Sequence, residues 1–142
     1  MREGALRGLV LVAVLAALGA AAWWLARPGH GLAEVAYDRA ACAHCRMLVS
    51  EPRFAAQLRR ASGEVLFYDD PGCLLLHRVA LADAGSQAWF HDSQSEAWLG
   101  DADVAFVRVP ETPMGYGFAA VPRGTEGAED GAAALAHIEA AR

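Results

Sequence analysis

Two cysteines, a histidine, an arginine and a methionine occupy the stretch CAHCRM at residues 42–47. Cysteine and histidine side chains ligate metals, and cysteine thiols also form disulfides and carry out redox exchange. A redox pair of the thioredoxin kind lies at the N-terminus of a helix, where the helix dipole lowers the thiol pKa. Here residues 47–49 have the character of a strand, and no helix is predicted to start. The spacing alone leaves a disulfide, a metal site and a redox pair open.

Two methionines extend this set of sulfur groups. On an extended chain Cys45 and Met47 would share one face, and a thiolate with a thioether is a soft ligand pair that selects Cu(I). Met114 lies in TPMGYG at residues 112–117, a predicted loop in which no core residue is expected. Both methionines are therefore candidate ligands. Ordinary core packing of Met47 and an incidental place for Met114 in a hairpin turn are the alternatives.

A third cysteine is expected at the start of a helix. Asp70 suits the N-cap and Pro71 suits the first helical position, where a missing N–H group costs nothing. Cys73 would then lie in the first turn, where a thiolate is favoured, although a half-buried structural cysteine is the expected interpretation. His77 and His91 are expected at the surface or with satisfied partners in the core.

The hydrophobic periodicity predicts an α+β protein with two similar modules. The first module combines two strands, a helix with Leu76, Val79 and Ala80 towards the core, and a third strand. The second module repeats strand, strand and helix, and it is truncated because no further strand follows. The predicted elements are strands at residues 52–60, 64–68 and 87–91 with a helix at 73–83, then strands at 104–109 and 117–121 with a helix at 129–141.

A hydrophobic N-terminal helix is predicted to precede these modules. Nineteen uncharged residues separate Arg7 from Arg27, and at ~1.5 Å per residue they would reach about 28 Å, close to the apolar thickness of a bilayer. Residues 1–27 are therefore predicted to be a membrane anchor that leaves the following domain on the periplasmic side. A cleaved signal segment, with the site at residues 20–22, is the alternative. Residues 28–41 are predicted to be a linker, and residues 42–142 form the domain.

Charge and motifs exclude several classes of function. Beyond Pro28 the chain carries nine arginines against sixteen acidic residues, a formal charge of −7. No basic run with interleaved aromatic residues occurs, so a nucleic-acid partner is not expected. The chain has no Ser-His-Asp order and no phosphate loop, and an enzyme is not predicted. The alternative to a metal-binding role is a membrane-tethered thiol-disulfide oxidoreductase that uses Cys42 and Cys45 as its redox pair.

Four stretches of the chain, taken together, resemble the NosL family, the accessory proteins of nitrous oxide reductase. They lie in the order found in that family: CAHCRMLV at residues 42–49, FYDDPGCL at 67–74, AWLGDA at 97–102 and TPMGYGFAAV at 112–121. The resemblance implies two ββαβ modules. It also implies a copper(I)-binding metallochaperone outside the cytoplasm that helps to assemble the copper centre of nitrous oxide reductase during denitrification.

The resemblance also implies a ligand set and a partner. Cys45 and Met47 match the Cys-x-Met of the family, Met114 matches its late methionine, and Cys42 matches members that have a second upstream cysteine. Cys73 matches a cysteine found in part of the family. The implied partners are a copper ion and apo nitrous oxide reductase, or another copper protein as recipient. The chain departs from the family in its leader, which lacks the usual lipoprotein cysteine, and in its short C-terminus.

Overall fold

The computed structural model describes residues 2–25 and 31–141, and the side chains of residue 8 and residues 11–23 within the first range. The rest of the predicted leader and the first residues of the predicted linker lie outside the described residues. The chain divides into two compact units, residues 1–30 and 31–142. The first unit is helix α1 (Arg2–Leu25), whose described leucine and valine side chains are exposed. No helix among the described residues has the length and apolar character needed to cross a membrane.

The second unit begins with a four-stranded antiparallel sheet. Strand β1 (Ala56–Arg59) lies in its interior and pairs with β2 (Val65–Tyr68) on one side and β3 (Gln87–His91) on the other, and β4 (Trp98–Gly100) pairs with β3. Helix α2 (Pro71–Leu81) connects β2 to β3. The predicted ββαβ order of the first module is therefore present.

The second module is a hairpin followed by a helix. Strand β5 (Val104–Arg108) pairs with β6 (Phe118–Pro122), and α3 (Gly131–Ala140) follows. Among the described residues, α3 is the last element. The two sheets meet in one core, where the rings of Phe90 and Phe106 are 5.1 Å apart and nearly perpendicular. The α+β prediction is confirmed.

Helix α2 begins as predicted, but its buried face differs from the prediction. Asp70 is the N-cap, and its side chain accepts a hydrogen bond from the backbone of Gly72 at 2.8 Å. Leu76 is buried, whereas Val79 and Ala80 are exposed, so the prediction for these two residues was wrong. The reason is that α2 enters the core with its N-terminal half, at residues 71–76, and its C-terminal half emerges into solvent.

The first predicted strand also begins later than expected. Pro52–Phe54 form a single 3-10 turn, and extended pairing starts at Ala56. A proline at the start of this segment has no N–H group to donate to a sheet ladder, which favours the turn. Phe54 is nevertheless buried, as the alternating pattern predicts. Strand β4 was not predicted, because three residues are too short for a periodic signal.

Candidate metal centre

A tight backbone turn positions the first two cysteines. The backbone N–H of Cys42 donates to the carbonyl of Met47 at 2.7 Å, and the N–H of Arg46 donates to the carbonyl of Cys42 at 3.1 Å. Arg46 has a positive φ of 71°, which reverses the chain direction after Cys45. The N–H of Ala43 donates to the carbonyl of Phe67 at 2.8 Å, so the turn is fixed to strand β2.

The junction between β2 and α2 positions the other two members of the site. Asp69 directly follows the last residue of β2, and Cys73 lies in the first turn of α2. The backbone N–H of Cys73 donates to the carbonyl of Asp70 at 3.0 Å. Because the cysteine turn is bonded to β2, it lies against this junction, and residues far apart in sequence come together.

Three thiols and one carboxylate form a compact cluster. One ligand atom from each of Cys42, Cys45, Asp69 and Cys73 lies within 4.8 Å of the others. Cys42, Cys73 and Asp69 are buried, while Cys45 is half-buried. All three cysteines are free thiols. The arrangement could therefore hold a metal ion, with Cys45 as the member nearest to solvent.

The carboxylate of Asp69 has one partner and one buried oxygen without a partner. The Cys45 thiol donates to Oδ1 at 3.2 Å. Oδ2 is buried and has no hydrogen-bond partner. A buried polar atom without a partner is costly, and an ion beside it would relieve that cost. A cation held by the cluster would satisfy this oxygen.

The three thiols hold their protons with unequal strength. A hydrogen bond from Cys73 lowers the pKa of Cys42 to about 6. Burial raises the pKa of Cys45 to about 11. The same hydrogen bond to Cys42, together with burial, raises the pKa of Cys73. Among the three thiols, Cys42 is therefore the one whose pKa shift favours the thiolate, because a neighbouring thiol stabilises its charge.

One imidazole lies within the cysteine turn and a second lies beside it. His44 lies within the turn, and its ring centroid is 5.7 Å from that of His77 on α2. The Tyr68 hydroxyl and Nδ1 of His77 form a 3.0 Å hydrogen bond. Burial, and then the neighbouring His44 and arginines, lower the pKa of His77. His77 therefore has a satisfied partner, as its sequence position suggests.

The two candidate methionines lie in different settings. Met47 is 52 % exposed, at the end of the cysteine turn. Met114 is half-buried and packs against the core that contains Cys42 and Cys73. Of the four predicted ligands, the structure brings Cys42 and Cys45 into the cluster, places Met114 against the same core and leaves Met47 facing solvent.

Two contacts dock the Met114 loop on the start of α2. The N–H of Met114 donates to Oδ2 of Asp70 at 3.1 Å, while Oδ1 of the same carboxylate caps α2 through Gly72. Gly72 has no side chain where it faces Tyr116, and a Cβ there would lie 2.5 Å from that ring. The loop is therefore held at the helix end that carries Cys73.

Sequence reasoning missed Asp69 and Cys73 as members of the cluster. Asp69 directly precedes the N-cap residue Asp70, and its spacing from the cysteines gives no ligand pattern. Cys73 was interpreted as structural because a single cysteine gives no pairing signal. A signal did exist: a second aspartate before a capped helix, followed by a cysteine in its first turn, places both groups at one helix end.

The donor set limits the metals that the cluster suits. Thiolates are soft ligands that bind Cu(I) and Zn(II), whereas Mg(II) and Ca(II) prefer all-oxygen sites. A carboxylate as fourth ligand would complete a tetrahedral site for Zn(II), while two or three thiolates suffice for Cu(I).

No protein-family model, curated protein or solved structure matches the chain.

Proposed function

We propose that the protein is a copper(I) metallochaperone that works outside the cytoplasm and delivers copper to nitrous oxide reductase or to another copper protein. The observation that carries the proposal is the convergence of three free thiols on one partly open site. The four sequence stretches that resemble the NosL family support the choice of recipient. The hydrophobic leader expected from the sequence at residues 1–27 supports a place outside the cytoplasm.

The buried thiols are proposed to hold the ion. Cys42 and Cys73 lie fully buried, so a copper ion bound to them is shielded from water and oxidants. Cys45 completes a soft sulfur set and has part of its side chain at the surface. Three thiols on two chain segments would bind tightly without the closed four-ligand cage of a structural zinc site.

The methionines are proposed to serve release. Thioethers are neutral and bind Cu(I) more weakly than thiolates, so they suit an ion in transit. Met114 is proposed as the neutral ligand next to Cys45, and Met47, which faces solvent, as the ligand that meets the recipient. A thiol or imidazole of the recipient would then displace the chaperone's ligands one at a time.

The same site supports thiol-disulfide exchange less well. An exchanging cysteine needs both a low pKa and access to its substrate. Here these properties are separated, because Cys42 has the lowered pKa but is fully buried, and Cys45 is reachable but has a raised pKa. Neither cysteine combines the two requirements.

A zinc site is the second candidate, and the carboxylate of Asp69 favours it. Three cysteines and one aspartate supply the four ligands of a closed tetrahedral centre. Such a centre would stabilise the fold and would have no need to release its ion. A four-ligand zinc centre requires the Asp69 carboxylate, whereas Cu(I) held by thiols does not, so Asp69→Asn should weaken Zn(II) binding and leave Cu(I) binding unchanged.

The test is anaerobic native mass spectrometry of the reduced protein titrated with Cu(I), alone and in competition with Zn(II). We expect one Cu(I) per chain, retained in the presence of Zn(II) and lost in Cys45→Ser. Met114→Leu should weaken binding more than Met47→Leu, a matched control that removes a thioether from an exposed position. Displacement of Cu(I) by Zn(II), or Cu(I) binding that is unchanged in Cys45→Ser, would contradict the proposal.

A further inference from the structure

A surface pocket that shares no residue with the thiol cluster lies beside the end of β3. It is an open pocket of about 390 Å³ between the segment before β1 and the β3–β4 connection. Its charged and imidazole-bearing lining residues are Glu51, Arg53, His91 and Glu96. Nothing in the proposed copper chemistry uses these residues.

His91 is held rigidly at the wall of this pocket. The residue is 5 % exposed, and its ring packs edge-on against Trp98 with centroids 5.2 Å apart. Nδ1 lies 3.0 Å from the backbone carbonyl of Asp92. A carbonyl oxygen only accepts, so Nδ1 carries the proton in that bond, and Nε2 of the neutral ring has a free lone pair. Histidines that ligate metals are oriented in this way by a hydrogen bond from the other ring nitrogen.

The carboxylate of Glu96 lies at a distance from His91 that suits a shared ion. Nε2 of His91 is 3.8 Å from Oε2 of Glu96, too long for a hydrogen bond. Two ligand atoms each ~2.1 Å from one ion are about 3.4 Å apart at a tetrahedral angle and about 3.8 Å apart at ~130°. His91 and Glu96 could therefore bind one ion with almost no movement, and the fully exposed Glu96 side chain is free to adjust.

A second carboxylate, that of Glu51, lines the same pocket. It has to move towards His91 and Glu96 to share an ion with them, because the thiol cluster is the one preformed group of three or more ligands among the described residues. Glu51 now pairs with Arg53 at 3.4 Å, and both side chains are largely exposed. Exposed ion pairs of this kind contribute little, ~0–1 kcal/mol, so a metal ion could replace the arginine at Glu51 at small cost. One imidazole and two carboxylates form a borderline ligand set that suits Zn(II), Ni(II) or Cu(II) and not Cu(I).

We propose that His91 and Glu96, assisted by Glu51, form a binding site for a divalent transition-metal ion at the β3–β4 connection. The site is independent of the proposed copper function because it uses other residues and a different ligand chemistry.

The test uses Ni(II) as a paramagnetic probe of the full-length reduced protein, observed by amide NMR. We expect sub-stoichiometric Ni(II) to broaden first the amides of residues 91–96 and 50–53. Glu96→Gln, a change at an exposed side chain, should lower the affinity at this position at least about tenfold, and His91→Gln should abolish the local broadening.

The matched control is His137→Gln. His137 and Glu129 also form an imidazole–carboxylate pair, but they are directly hydrogen-bonded at 2.9 Å and leave no room for an ion between them. This variant should leave the broadening at residues 91–96 unchanged. Broadening confined to the cysteine cluster, or equal at all histidines, or unaffected by Glu96→Gln, would overturn the proposal. Since Cu(I) binding at the thiols is measured separately, either proposal can fail without the other.

Discussion

Cys42 is the residue around which the cluster is organised. It accepts a hydrogen bond from Cys73, and this contact is the largest cause of its lowered pKa. A thiol that is already ionised in the metal-free protein does not need to lose a proton when Cu(I) arrives. Cys73 therefore lowers the pKa of Cys42 in the metal-free protein, in addition to its proposed role as a ligand.

The first prediction concerns this single thiolate. In the reduced metal-free protein, ultraviolet thiolate absorbance should rise by one thiolate near pH 6, and Cys42→Ser should remove that step. In Cys73→Ala the step should move up towards the ordinary thiol value of 9.0, because the donor to Cys42 is lost.

The linked effect on stability has a definite sign. Between about pH 6 and pH 9 the unfolded chain holds a proton on Cys42 that the folded chain has released, so the free energy of unfolding should rise with pH. The lowered pKa of His77 acts in the same direction but below its ordinary 6.5, and the raised pKa values of Cys45 and Cys73 oppose the rise as the pH approaches their ordinary 9.0. Denaturation at pH 7 and pH 8 therefore isolates Cys42. An equal rise in Cys42→Ser would contradict the assignment.

The second prediction, also at the level of the residue, is that Cys73 is a ligand. Cys73→Ser should weaken Cu(I) binding at least about tenfold, measured by competition with a chromophoric Cu(I) chelator under anaerobic conditions. Met47→Leu serves as the control for loss of a sulfur outside the cluster. Equal affinities of Cys73→Ser and the unmodified protein would exclude Cys73 from the ligand set.

Asp70 joins two elements that the site requires. Its carboxylate caps α2 through Gly72 and holds the Met114 loop, and the residue is fully buried. The third prediction is that Asp70→Ala lowers the free energy of unfolding by about 2 kcal/mol or more, since two backbone N–H groups lose their partner.

The control for this loss is the cap of α3. Asp130 accepts from the backbone of Ala133 at 2.9 Å in an exposed position and anchors no second segment. Asp130→Ala should therefore cost only about 1 kcal/mol, as an ordinary N-cap does. Chemical denaturation of both variants measures the difference, and equal losses would show that the loop contact contributes nothing.

Gly72 is the other contact between helix and loop. The fourth prediction is that Gly72→Ala displaces the Tyr116 side chain and loosens the Met114 loop, with a loss of about 1–3 kcal/mol in stability. Gly100→Ala is the control, because a Cβ there would meet only ordinary contacts at 3.8 Å or more. Amide exchange at residues 112–117 should accelerate in Gly72→Ala alone.

Local signals in the sequence were sufficient for most elements. Strand β3 and the cap of α2 follow from alternation, from Asp70 and from Pro71, and these predictions are confirmed. The outward face of α2 was misjudged, because periodicity reports that a helix has an apolar side without reporting how far along its length the core extends. Val79 is apolar and still 59 % exposed.

The candidate site was harder to predict than the elements. The CxxC stretch identified Cys42 and Cys45, because both lie in one turn. Asp69 and Cys73 join them only through the hydrogen bond between Ala43 and Phe67, which sets the cysteine turn beside the end of β2. A contact between distant backbone groups leaves no spacing pattern, and so it could not be read from the chain alone.

At the scale of the whole molecule, the site belongs entirely to the second unit. The fifth prediction is that residues 31–142 fold without the N-terminal helix and bind Cu(I) with the affinity of the full chain, because all clustered residues lie within this unit. Circular dichroism and Cu(I) titration of the shortened protein measure this. A shortened protein that folds but binds no copper would indicate that the helix contributes to the site.

X-ray absorption at the copper edge of the Cu(I)-loaded protein tests the central claim most directly. We expect a first coordination shell made of sulfur, with one sulfur replaced by a lighter ligand in Cys73→Ser. A first shell dominated by nitrogen and oxygen, or a shell that stays unchanged when Cys42, Cys45 and Cys73 are all replaced by serine, would contradict the account.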